Sequence, residues 1–396
     1  MADSVLEDVA EVTLGEVADL VMGQSPPGST YNEIKDGLPF IQGSAEFGAI
    51  HPEPIKWCSA PARVAQAGDL LVSVRAPVGD INYADEPLAI GRGLAIVRGR
   101  EEATTRFLAL AIEAQLPQLR SLSGGGMFES VTKKGLSALR FRLPPVPEQR
   151  RIADLVSCVD AASQHGLAAE AAARQLLQAL TRWLCPTTRQ PSREAVSLED
   201  LAQFINGRAF KPADFTATGV PVIRIRQIND PAAAVDLYGG SVEEWHRLSD
   251  GDLVFSWSGS LTVLRWTRGD AVLNQHLFKV IEREGVDRGW LTYVLRSAID
   301  HFEQMTHGTT MKHITRGALS KVFVERPPIH DQQALADALH ATEEVVQRLR
   351  VATMALVYFR RRLLTVLLSG EGEIPESYDR FLEEQLRRGT DLAVAA

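Results

Sequence analysis

The feature that most restricts this chain is a proline cluster that opens a long proline-free run, and it occurs twice. Pro144-Pro145-Val146-Pro147-Glu148-Gln149 cannot continue a helix or a central strand, yet it suits a first helical turn. Proline is tolerated there, and Glu148 complements the positive end of the helix dipole. From Glu148 to about Cys185 no proline interrupts a stretch rich in Ala, Leu, Gln and Arg. About 183 residues on, Pro327-Pro328-Ile329-His330-Asp331-Gln332 opens a second such run, which lasts to about Ser369. The chain therefore reads as two copies of one unit, each a globular part followed by a long helix.

The heads of the two copies share short framework words. Leu38-Pro39-Phe40-Ile41 returns as Val220-Pro221-Val222-Ile223, and Gly68-Asp69-Leu70-Leu71-Val72-Ser73 returns as Gly251-Asp252-Leu253-Val254-Phe255-Ser256. The strand region Leu88–Val97 corresponds to Ala271–Ile281, and the helical spacing of Thr104–Arg120 to Trp290–Ile299. Val12–Val21 reads as a short helix or strand. Ser123-Gly124-Gly125-Gly126, with its counterpart His307-Gly308-Thr309-Thr310, reads as a loop. The words between the frameworks differ, as in a repeat that keeps its scaffold and presents two different surfaces.

In the first long helix Ile152, Leu155, Val156 and Val159 form a stripe that Leu176, Leu177, Leu180 and Leu184 resume; the alanine-rich middle allows close approach of a partner. In the second, Leu335, Leu339, Val346, Leu349, Leu356, Leu363 and Leu367 approach heptad spacing. At about 1.5 Å per residue the first run spans roughly 55 Å, more than a small domain buries alone, so a helical partner is expected. The expected fold is α+β: two similar globular α/β domains, 1–147 and 198–330, joined by two long antiparallel coiled-coil helices, 148–186 and 331–369. A linker, 187–197, carries Pro191, and a tail, 370–396, offers Tyr378, Phe381 and Leu382 for docking.

Composition sets limits on function. A net charge of −8 over 396 residues counts mildly against nucleic acid unless basic residues are concentrated locally or on a partner. Three cysteines are too few and too scattered for a disulfide framework, and the lack of a CxxC pair argues against a Cys-based zinc site. The acidic N-terminus argues against a signal peptide, and Arg360, Arg361 and Arg362 interrupt the apolar stretch Val351–Leu368, so a cytoplasmic protein is expected. No phosphate loop and no Asn- or Asp-Pro-Pro-aromatic loop is present, which disfavours an ATP-driven motor or a methyltransferase. Gly91-Arg92-Gly93 lacks the third glycine of a nucleotide fingerprint and reads as a strand bulge. His301, His307 and His313 do not share a helical face, and no metal is expected. Asp69 and Asp252, each directly after glycine, read as turn residues bonding local backbone.

The loops do carry side chains suited to base edges and phosphates. In the first head these are Gln24, Ser25, Tyr31, Gln42, Ser44, Arg75, Arg92, Lys133 and Lys134. In the second they are Arg208, Lys211, Arg224, Arg226, Gln227, Asn229, Trp257, Asn274, Gln275, His276 and Lys312. Arginine pairs bidentately with guanine, glutamine or asparagine with adenine, and lysine with phosphate. They fall on corresponding loops of two repeats, and Arg224-x-Arg226-Gln227 after an apolar strand is the sharpest group.

These words resemble the specificity (S) subunits of Type I restriction-modification systems. The resemblance rests on Leu14-Gly15-Glu16-Val17-Ala18, Leu38–Ile41, Gly68–Ser73 and Leu143–Ala153, with a weaker second set at Leu198–Ala202, Gly251–Ser256 and Pro327–Gln333, where His330-Asp331-Gln332 replaces Pro-Glu-Gln. It implies two target recognition domains, each reading one half of a split, asymmetric DNA target, with the helices setting a separation that matches one duplex turn, roughly 34 Å. It implies a non-catalytic chain without a cofactor of its own. Two modification subunits would use S-adenosylmethionine to methylate adenine, and two restriction subunits of the full assembly would use ATP and Mg. The competing readings are an enzyme, such as a fused methyltransferase or nuclease, a two-repeat structural adaptor, and the specificity subunit of a related DNA-modification defence system without a restriction subunit.

Overall fold

A computed structural model describes residues 11–121, 130–190, 192–305, 314 and 316–381. Ser123–Gly126, Pro191, the segment His307–Thr310, Lys312, His313 and Leu382 lie outside the described residues. The chain divides into two compact units. The first takes the chain through His165 and again from Thr353 on; the second takes Gly166–Ala352. Each long helix therefore begins in one unit and ends in the other.

Each unit opens with a strand, a single helical turn and a second strand: Glu11–Thr13, Leu14–Val17 and Ala18–Met22 in the first, Ala195–Ser197, Leu198–Leu201 and Ala202–Asn206 in the second. The turns start where a Thr-x-x-Glu or Ser-x-x-Asp pattern caps them: the Thr13 amide donates to Glu16 at 2.6 Å, and the Ser197 amide to Asp200 at 3.3 Å. The region expected to be helix or strand is thus both in turn.

The main sheet of the first unit is antiparallel, in the order Ala18–Met22, Leu94–Gly99, Leu70–Ser73, Ile81–Tyr83; that of the second is Ala202–Asn206, Leu277–Glu282, Leu253–Ser256, Thr262–Arg265. The registers correspond, with Leu70 opposite Val97 and Leu253 opposite Val280. A second sheet in each unit is built on one parallel pair, Ile41 beside Ile90 and Ile223 beside Leu273. Consecutive strands Leu88–Ile90 and Leu94–Gly99 belong to different sheets. Gly91-Arg92-Gly93 is therefore the crossing between sheets rather than a bulge within a strand.

Gly68 and Gly251 adopt φ of 89° and 94°, a conformation that favours glycine. The aspartate after each accepts a local amide, Asp69 from Gln66 at 2.8 Å and Asp252 from Ser249 at 2.9 Å. They also pair across the sheet with Arg98 at 2.6 Å and Lys279 at 2.8 Å. Behind the first sheet Thr105–Ala114 buries Phe107, Leu108 and Ile112; behind the second Arg288–Met305 buries Trp290, Val294 and Phe302. The helix expected over Thr104–Arg120 is split, continuing as Leu116–Ser121, because Pro117 cannot supply an amide to a continuous ladder.

The long helices run Val146–Leu184, 39 residues, and Ile329–Ser369, 41 residues. Both start two residues before the expected boundary: Pro147 falls in the first turn, where its missing N–H has no intrahelical partner to lose. In the first unit they run antiparallel: Arg151 meets Asp379 at 3.0 Å, Ile152 and Leu367 share one core, and Asp160 meets Arg360. The packed stripe of the second helix alternates three- and four-residue steps through Leu339, Thr342, Val346, Leu349, Thr353, Leu356, Arg360, Leu363 and Leu367. In the first helix the stripe is completed by small residues, Ser163, Gly166 and Ala173, and Leu176 is exposed rather than part of it. Among the described residues no helix is long and apolar enough to cross a membrane.

The repeated glutamine explains the helix-opening word. Gln149 is fully buried; its amide oxygen accepts the Thr104 N–H at 2.8 Å, and its amide nitrogen donates to the carbonyls of Glu102 and Pro144, both at 2.8 Å. Gln332 is also fully buried and makes the same set with Asp287, Gly285 and Pro327 at 2.8, 3.1 and 2.8 Å. One side chain thus fastens the start of each long helix to the start of the helix behind the sheet. A carboxylate could not donate there, and an apolar residue would leave three backbone groups without their partner.

Candidate nucleic-acid interface

The loops singled out in the sequence converge at the junction of the two sheets, on one backbone pattern that both units repeat. The Gly23 amide donates to Leu94 O at 2.8 Å, Gln24 to Ile90 O at 3.2 Å, and Gly91 to Ile41 O at 2.8 Å. The second unit has Gly207 to Leu277 O at 3.0 Å, Arg208 to Leu273 O at 2.8 Å, and Asn274 to Ile223 O at 2.9 Å. Gly23 and Gly207 are required by close approach: an added Cβ would lie 2.1 Å from Gly91 O and 2.3 Å from Asn274 O. The knot is common and its side chains are not. Gln24 stands where Arg208 stands, Gln42 where Arg224 does, and Gly91-Arg92-Gly93 where Asn274-Gln275-His276 does.

In the first unit Gln24, Gln42 and Arg92 are exposed on this knot, and the Ser25 hydroxyl lies 3.5 Å from the Arg92 amide as acceptor. The Val74 amide donates to Gly93 O at 2.9 Å, which sets exposed Arg75 beside the same crossing. Val131 in turn bonds Val74 O at 2.8 Å, and the short helix Lys133–Ser137 follows with both lysines exposed. Among the described residues Arg75, Arg92, Lys133 and Lys134 have no carboxylate partner. Ser44 is partly buried in the turn after Gln42. Tyr31 is held inward, stacked on Phe40 with centroids 4.7 Å apart and its hydroxyl donating to Pro26 O at 2.9 Å.

The second unit is built differently. The Arg208 guanidinium lies 5.3 Å from the centroid of Phe210 and 4.6 Å from that of Tyr238, and it also bonds the Tyr238 hydroxyl. The Arg224 guanidinium lies 5.0 Å from the Phe215 centroid, and its Nη1 donates to Asp236 at 2.6 Å. Phe210 and Phe215 stack at 6.2 Å. Lys211, Arg226 and Gln275 are exposed, and Asn229 is exposed and exchanges hydrogen bonds with Ser260. Trp257 packs on His276 and Phe278, centroids 5.8 and 5.6 Å away.

Besides Tyr31, two residues of the sequence-derived set in the second unit face inward. Gln227 is buried: it accepts the Arg224 amide at 3.2 Å and donates to Ala234 O at 2.6 Å, so it braces the loop and leaves no edge for a base. Asn274 is buried at the crossing. Arg268 donates to Gln227 O at 2.7 Å and stacks over Trp266; burial lowers its guanidinium from the ordinary arginine range. Phe210, Phe215, Asp236 and Tyr238 were missed. An aromatic two residues after Arg208 is a local signal, but Asp236 and Tyr238 arrive from a separate strand and have none.

Both heads match the model of the Type I restriction modification DNA specificity domain, over residues 6–172 and 193–349. A putative type I restriction enzyme MjaX specificity subunit of Methanocaldococcus jannaschii is 42% identical over 157 residues, 39% of this chain; the chain spans 37% of that relative's length. The MjaVIII specificity subunit of the same organism is 18% identical over 92% of this chain and 93% of its own. A crystal structure of a Type I restriction-modification system S subunit from M. genitalium superposes with a TM-score of 0.57 at 12% identity, covering 94% of this chain and 98% of the other, a likeness of fold.

Proposed function

Since the chain belongs to the Type I restriction modification DNA specificity domain family, we propose that it is the non-catalytic subunit that reads DNA sequence for a Type I restriction-modification complex in the cytoplasm. Each unit reads one half of a bipartite, asymmetric target, and the long helices set the gap between halves. Two modification subunits, carrying S-adenosylmethionine, dock on the helices, and two restriction subunits using ATP and Mg join them in the full assembly. The row Val351, Met354 and Tyr358, exposed at helical spacing on the second helix, fits such docking. The net charge of −8 is compatible with this role because phosphate contacts can be shared with partner subunits.

One observation carries the reading: the same backbone knot, repeated in both units, displays different polar side chains of types suited to base edges. A single binding surface duplicated for affinity would have no reason to replace Gln24, Gln42 and Arg92 by Arg208, Arg224 and Gln275. The test is binding by the assembled complex to duplexes altered in one half-site at a time. Arg224→Ala or Arg226→Ala is expected to impair recognition of one half only. Equal losses at both halves refute the division of labour.

A further inference from the structure

Building on the reading that the second unit meets DNA, we propose that Arg208 and Arg224 read guanine in the second half-site, and that Gln24 and Gln42 fill the same two slots in the first unit as adenine readers. The slots are equivalent by their backbone bonds. Arg208 and Gln24 donate to the carbonyls of Leu273 and Ile90; Arg224 and Gln42 directly follow Ile223 and Ile41, whose carbonyls receive Asn274 and Gly91. What differs is the support. In the second unit guanidinium, ring, ring and guanidinium form one row, Arg224–Phe215–Phe210–Arg208, with neighbouring centres 5.0, 6.2 and 5.3 Å apart.

This arrangement aims the arginines without using them up. Arg224 gives only Nη1 to Asp236; its Nε and Nη2, the edge that meets guanine O6 and N7, have no partner among the described residues. Arg208 gives Nη1 to Tyr238, while Nη2 has only an ion pair of 3.9 Å to Asp214, too long for a hydrogen bond. Their side chains remain 34% and 33% exposed. An exposed ion pair adds little to folding, so stability alone does not account for two arginines stacked and steered in this way. Stacking removes rotamer freedom before the ligand arrives, which is what a discriminating contact needs. Asp236 is on this view a positioning residue.

The test uses the complex assembled with its modification subunits and a duplex library randomised in the second half-site. The wild type is expected to select G·C pairs at two positions there, by roughly 5- to 150-fold each. Arg224→Gln should change the letter selected at one of these positions from G to A, and Arg208→Gln at the other. Arg224→Lys should abolish the preference at its position while binding at low salt persists. Asp236→Asn should keep G but weaken its selection. Preference at the first half-site serves as the folding control and should not change. A uniform loss across the library with Arg224→Gln, or unchanged letters, overturns the assignment while leaving the general reading intact. A wild-type complex without sequence preference in either half overturns both.

Discussion

The two units answer one packing problem in opposite ways. In the first, Glu113 behind the sheet and Asp160 on the first long helix are both acidic, and Arg360 of the second long helix joins them, with Nη2 at 2.9 Å from Glu113 and 3.2 Å from Asp160. In the second unit the corresponding residues are already complementary: Arg296 donates to both carboxylate oxygens of Glu343 at 3.0 Å, and the Tyr293 hydroxyl adds a bond of 2.9 Å. The residue matching Arg360 is then Leu177, which packs against the second core. The cores diverge likewise: Leu20, Val72, Ala95 and Phe107 stand where Phe204, Phe255, Phe278 and Trp290 stand, all buried. Duplication preserved backbone bonds and the paired glutamines. Charge assignment and core volume drifted in sets, because a close-packed, desolvated site tolerates only compensated change.

Three experiments bear on that contrast. The largest effect is expected where the units agree. Gln149→Leu and Gln332→Leu should each destabilise by about 3 kcal/mol, since a fully buried amide and the three backbone groups it holds are lost together; denaturant unfolding resolves it, and a cost in one unit only would break the equivalence. Next, Arg360→Leu should cost about 2 kcal/mol, because it leaves two half-buried acids facing each other. Adding Glu113→Arg copies the second unit's solution and should restore most of that loss; no recovery would show that the two ion clusters are not interchangeable. The smallest effect concerns pH. Burial alone would raise the Glu343 carboxyl, but Arg296 and Tyr293 outweigh it and hold it below its ordinary value of 4.5. Its contribution is therefore present above about pH 4.5 and lost as pH falls through the lower, folded value. Glu343→Gln should cost about 1 kcal/mol at neutral pH, and the gap to wild type should close in acid.

Much of the fold was legible because its signals are local. The doubled proline word, the two long helices and the heptad stripe from Leu339 to Leu367 follow from spacing alone. Thr342, Thr353 and Arg360 within that stripe were not foreseen: Arg360 is tolerated there because folding brings it Asp160 and also Glu113, 247 positions away in sequence. The importance of Gln149 was visible, but not its reason, since Thr104 and Glu102 are brought to it by folding. For the candidate interface, the crossing residues Arg92 and Gln275 could be placed on corresponding loops by the repeat. Gln227 looked as exposed as its neighbour Arg226, and only the path of the loop to Ala234 turns it inward. The aromatic row itself lies within Arg208–Arg224, but Asp236 and Tyr238, which steer its two arginines, are brought in on a separate strand by folding.

Because the first unit is closed by the stretch from Thr353 onward, its last walls leave the ribosome after the whole second unit has been made. Leu367 and Ile374 complete a core whose other members were synthesised more than two hundred codons earlier. A stop codon just past residue 352 would therefore injure the half encoded first, and spare the half encoded next to the lesion. Gene order and order of assembly are uncoupled in this chain, and a nonsense mutation near residue 352 should be scored by what happens to the fold of the opposite unit.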